Sequence, residues 1–132
     1  MKLSNSERIL ALTLVVYIVC DVLLTPPARL ETRNPALVTG LGVATLVLLF
    51  IGLALSVVAL VLLIRGSGRA PIFAIVGAVL YFPAPLAEVT GQFSSLKPPA
   101  AIASLELIQA VVAIIIVAVS LWMLRGRNSA GP

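Results

Sequence analysis

Histidine is absent from this 132-residue chain, cysteine occurs once, and only 11% of the residues are charged. The first absence removes the commonest ligand for haem, zinc and copper, together with the usual acid–base residue at neutral pH. Cys20 alone permits neither an internal disulfide nor a CxxC redox pair, and it reads as a small buried hydrophobe. Oxidoreductase and metallohydrolase readings fall on these grounds, and no metal or cofactor is expected. No nucleophile–base pair is recognisable either, so the chain is not expected to be an enzyme. No basic cluster of the kind that grips nucleic acid is read, and no nucleic-acid partner is expected.

What the chain does have is apolar length. Hydrophobic residues make up 61% of it and mean hydropathy is +1.17, where soluble domains are near half apolar and about a quarter charged. Apolar runs of spanning length recur. The expected fold is all-α: a single integral membrane domain forming a four-helix transmembrane bundle, with the lipid bilayer as its first partner.

Ser4-Asn5-Ser6-Glu7 fits a capping box, with Glu7 reaching back to the Ser4 backbone. It opens a first span over approximately 7–25, which Pro26-Pro27 ends. Asn34 and Pro35 suit the start of a second, 36–64. Arg65-Gly66-Ser67-Gly68-Arg69 is a tight turn, and its Gly-x-Gly is no phosphate loop because no strand precedes it. A third span covers 71–90 and a fourth 100–124, leaving 125–132 as a short, polar, disordered tail. Lys2, Arg8, Arg65, Arg69, Arg125 and Arg127 lie on one side, against Arg29, Arg33 and Lys97 on the other. That bias places both termini in the cytoplasm of a cell-membrane protein. A cleaved signal peptide is the rival reading of the first segment; Asp21 near its end and the poor cleavage site Thr25-Pro26-Pro27-Ala28 argue against it.

The third span carries Tyr81-Phe82-Pro83-Ala84-Pro85. Pro83 cannot donate to the carbonyl of Val79, nor Pro85 to that of Tyr81. Each proline also disfavours helix at the residue before it, Phe82 and Ala84. The expectation is an interruption at 82–85 with a short extended break. Either the span is a broken helix beside a cavity, or it ends at Tyr81 and 82–99 forms an external loop.

Asp21, Glu88 and Glu106 are carboxylates in or near the spans. At 1.5 Å per residue Asp21 lies roughly 21 Å above the inner face and Glu106 roughly 9 Å below the outer one, the same level in a core of about 30 Å. Glu106, Gln109, Ala113, Val117 and Ser120 share a stripe, as do Thr13, Tyr17, Cys20 and Asp21. Span three offers Ala74, Gly77, Ala78 and Tyr81. Gly40, Ala44, Gly52 and Ser56 form a small-residue row on span two, suited to close helix packing.

The candidate ligand- or ion-binding residues are therefore Asp21, Glu106, Gln109, Glu88 and Tyr81. They would hold a proton, a cation or a cationic solute. The structural alternative pairs the acids with Arg29, Arg33, Lys97 or Tyr81 to lock the outer end. In size and helix count the chain resembles the small multidrug exporters. Its first-span acid is Asp21 at the outer end rather than a mid-span glutamate, so their activity is not carried over. Two functions stand: a non-catalytic accessory or interaction subunit of a membrane assembly, or a small proton-coupled or cationic-ligand carrier. A chain of 13.8 kDa has little room for a cavity of its own, so either favours a homo-oligomer or a larger membrane partner.

Overall fold

A computed structural model describes residues 2–24, 40–90 and 100–129. They form five helices and, among the described residues, no strand: α1 (Asn5–Leu24), α2 (Gly40–Ile64), α3 (Ala70–Val79), α4 (Pro83–Val89) and α5 (Ala100–Ser129). The connections holding Arg29, Glu31, Arg33 and Lys97, the Asn34-Pro35 helix start and the Pro98-Pro99 pair lie outside the described residues.

Among the described residues, three stretches are long and apolar enough to cross a membrane: Gly40–Ile64, Ala70–Ala87 and Ala103–Ser129. The second of these joins α3 to most of α4 across a three-residue turn. At 18 residues it is about 27 Å of helix, close to a hydrocarbon core. The protein is thus membrane-embedded. α1 is not one of the three, because Glu7, Arg8 and Asp21 all fall within its 20 residues.

Local chemistry accounts for the helix ends. The Ser4 backbone N–H donates to Glu7 Oε2 at 2.7 Å and the Glu7 N–H to Ser4 Oγ at 3.3 Å, so the capping box forms. α2 ends in a Schellman turn. Gly66 sits at φ 72°, its N–H donates to Leu63 O at 3.0 Å, and the Ser67 N–H donates to Leu62 O at 2.8 Å. Only glycine takes that backbone conformation without a Cβ penalty. Pro71 then stands in the first turn of α3, where its missing N–H is harmless.

α5 corrects one expectation. Residues 125–129, read as the start of a disordered tail, continue the helix. Ser129 Oγ donates to Arg125 O at 3.0 Å, and the Arg127 guanidinium donates to the carbonyl of Gly68. That second bond ties the end of α5 to the α2–α3 turn, which supplies the anchor a free polar tail would lack.

Packing runs in pairs: α1 against α5, α5 against α3, α3 against α2, and α2 against α1, with α4 also against α2. The buried faces follow three- and four-residue spacing. On α1 they are Leu10, Leu14, Tyr17, Asp21 and Leu24; on α2, Gly42, Thr45, Leu49, Gly52, Ser56, Ala59 and Leu63. Large apolar side chains such as Leu12, Val19, Phe50, Val57, Ile114 and Leu121 point outward. In water this would be a liability; in a bilayer it is the lipid-facing surface.

Candidate functional site

The α1–α5 seam contains the polar contact that matters most. Tyr17 and Asp21 lie one turn apart on the buried face of α1, and Gln109, Ala113, Ile116 and Ser120 line the facing side of α5. Gln109 Nε2 donates to Asp21 Oδ1 at 3.0 Å, and both residues are 0% exposed. A bond across 88 positions of sequence joins the two helices, with Asp21 meeting Gln109, one turn along α5 from the Glu106 that the helical rise set level with it. Gln109 Oε1 and Ser120 Oγ are buried without a hydrogen-bond partner among the described residues.

Tyr81 brings the third element to the same place. Its hydroxyl donates to the backbone carbonyl of Glu106 at 3.0 Å. Its ring meets Tyr17 edge-on at 6.1 Å and Phe82 at 5.6 Å, distances typical of favourable aromatic pairs. The structure therefore gathers Asp21, Gln109, Tyr81 and the backbone of Glu106. The Glu106 side chain is half-buried. Glu88 falls within α4, and its side chain lies outside the described residues, as do Arg29, Arg33 and Lys97. Tyr17 is central here although it was not among the candidates; its place four residues before Asp21 on a helix was the available signal.

The proline segment breaks the helix, but not as an extended strand at 82–85. The interruption is residues 80–82, and both Ala84 and Pro85 belong to α4, with Pro83 as its first residue. The two carbonyls that the prolines cannot serve are served by the residues preceding them. Phe82 N–H donates to Val79 O at 3.2 Å, and Ala84 N–H donates to Tyr81 O at 3.2 Å. A tightened turn replaces each lost i→i−4 bond with an i→i−3 bond. Backbone inside a membrane must be satisfied, and here the chain satisfies it itself. The break thus leaves neither carbonyl waiting for a ligand.

The small-residue row also divides. Gly52 and Ser56 are buried, whereas Gly40 and Ala44 are exposed. Steps of four residues drift by about 40° each, so Gly40 and Ser56 stand about 160° apart around the helix. The seam instead alternates steps of three and four. At its centre α2 and α3 meet backbone to backbone. A Cβ on Gly52 would come within 2.7 Å of Gly77 O, and one on Gly77 within 2.8 Å of Gly52 O and 2.6 Å of Ser56 Oγ. Ser56 Oγ donates to Gly52 O at 2.9 Å, so its hydroxyl is satisfied within its own helix.

Among the described residues no group of three Cys, Asp or Glu side chains is placed to hold a metal ion. The open grooves among the described residues include two that lie between helices. One, about 340 Å³, is walled by Val79, Phe82, Ile114, Val117, Ala118 and Leu121 and is wholly apolar. The other, about 370 Å³, lies between the start of α1 and the end of α5. Compared with known proteins, the chain matches no family model, no curated protein and no solved structure.

Proposed function

We propose that this is a four-span cell-membrane protein, with α1 as the remaining span and both termini in the cytoplasm, acting as a non-catalytic accessory or interaction subunit of a membrane assembly. The observation that carries this reading is how the polar and small residues are used. The Asp21–Gln109 bond, the Tyr81–Glu106 bond, the capped proline carbonyls and the Gly52–Gly77 contact all join one helix to another or restore one helix to itself. They build a filled scaffold whose outward faces are apolar. Large apolar side chains there face lipid, while the exposed small residues Gly40 and Ala44 suit close packing against a second copy or a larger membrane protein. The test is purification in mild detergent after crosslinking in the intact membrane. A second copy or a stoichiometric membrane partner is expected; a lone monomer under both conditions overturns the reading.

A second reading rests on one observation: a carboxylate, Asp21, stands at 0% exposure in the α1–α5 seam of a membrane-embedded protein. Ionisable residues in that setting recur in proton and cation pathways. A carrier of this kind would lose pH-dependent flux in Asp21→Asn or Glu106→Gln while the protein still inserts. Retained flux in both variants removes it.

A further inference from the structure

The fold collects positive charge at one end. Lys2 and Arg8 flank the start of α1, Arg65 and Arg69 bracket the α2–α3 turn, and Arg125 and Arg127 close α5; all six are exposed. The three segments that carry them meet in space as well as in topology. Arg127 donates to Gly68 between Arg65 and Arg69, and it shares a groove with Ser4, Ser6 and Glu7. Of the carboxylates among the described residues, Asp21 and Glu106 belong to the opposite end, and only Glu7 stands here. Its carboxylate is already engaged by the Ser4 N–H. Lys2, Arg8, Arg65, Arg69 and Arg125 make no ion pair among the described residues.

We propose that this end binds the headgroups of anionic phospholipids, which gather in the groove between α1 and α5 and around the Arg65–Arg69 turn. Charge complementarity selects the occupant: a crowd of exposed cations beside a bilayer attracts anionic lipid, each Lys or Arg adding to the pull. The groove has the matching two-sided chemistry. Ser4, Ser6 and Arg127 offer polar contacts, the Glu7 carboxylate that also lines the groove is held by the Ser4 N–H, and Trp122 and Met123 form an apolar wall. Trp122 is 65% exposed and lies one turn before Arg125 on α5, so its ring sits where headgroup meets acyl chain. A small free anion would use the cations and leave that wall idle; a phospholipid uses both.

Trp122 is the chain's one tryptophan, so its fluorescence reports this groove directly. The full chain would be reconstituted in mixed phosphatidylcholine and phosphatidylglycerol vesicles, with bromine near the headgroup on one lipid or the other. Brominated phosphatidylglycerol is expected to quench Trp122 about fivefold more, per mole fraction, than brominated phosphatidylcholine. The excess should shrink in about 1 M salt. It should vanish in the exposed-site variant R65Q/R69Q/R125Q and persist in R65K/R69K/R125K. Unchanged quenching by brominated phosphatidylcholine in the Gln variant certifies that it still folds and inserts. Equal quenching by the two lipids overturns the proposal while leaving the membrane assignment intact. Loss of the excess on adding inorganic phosphate would assign the cations to a free anion instead and also overturns it. Absence of quenching by either lipid removes this end from the membrane surface altogether.

Discussion

At the residue scale, the buried pair Asp21–Gln109 carries the sharpest consequence. Gln109→Leu removes the donor to Asp21 Oδ1 and leaves a buried oxygen without it, at an expected cost of about 1–3 kcal/mol. Asp21→Leu with Gln109→Leu replaces the pair by packing and should recover part of that loss, since two apolar groups can substitute for a buried polar contact. A double-mutant cycle, read by denaturation in detergent, should give a coupling of about 0.5–1.5 kcal/mol, the usual range for hydrogen bonds between membrane helices. Simple additivity would mean that the two side chains do not act together. Asp21 was legible in the sequence as an acid that must be accommodated, and Gln109 as a polar member of the Glu106 stripe. The sequence set Asp21 level with Glu106, however, and its bond to Gln109, one turn further along α5, was not foreseen. Which atom bonds which was not legible, because helical spacing fixes a face and a depth but not a rotamer.

At the scale of the helix, two glycines make opposite demands. Gly66 is needed for its backbone angle: at φ 72° any Cβ is strained, and Gly66→Ala should cost about 1–2 kcal/mol. Gly77 is needed for its emptiness, since a Cβ there meets Gly52 O and Ser56 Oγ. Gly77→Ala should therefore overpack the α2–α3 crossing and cost about 1–3 kcal/mol. Gly40→Ala is the control, for nothing lies within 4 Å of a Cβ at that position. Thermal melts of the three variants in one detergent should rank Gly40→Ala as near-neutral and the other two as destabilised; a destabilised Gly40→Ala would show that α2 packs differently. The contrast also explains what the sequence could and could not disclose. Small residues counted in steps of four (Gly40, Ala44, Gly52 and Ser56) read as one row, but each step drifts by about 40°, and the seam with the partner helix instead alternates three and four. The proline pair announced a break, yet only the neighbouring N–H groups decide whether the freed carbonyls stay open, and here they close as turns.

For the whole molecule, the distribution of charge implies a direction in the membrane that is independent of any ligand. The Arg127–Gly68 bond and the α1–α5 groove place the beginning of α1, the α2–α3 turn and the end of α5 at one end. If α1 crosses the bilayer as the fourth span, that end must be the one rich in Lys and Arg, and the positive-inside bias turns it toward the cytoplasm. Cys20 is the chain's single cysteine and is buried, so a Cys20→Ala background gives a clean site for labelling. Ser67→Cys, in the turn, and Asn128→Cys, near the end of α5, should both resist a membrane-impermeant maleimide in intact cells. Both should react once the membrane is permeabilised. The two positions should behave alike because one bond network fixes them together, whichever way the protein inserts. Labelling of both from outside would reverse the orientation and keep the fold. Labelling of one alone would separate the turn from the end of α5, and with it the pairing of helices on which the basic surface depends.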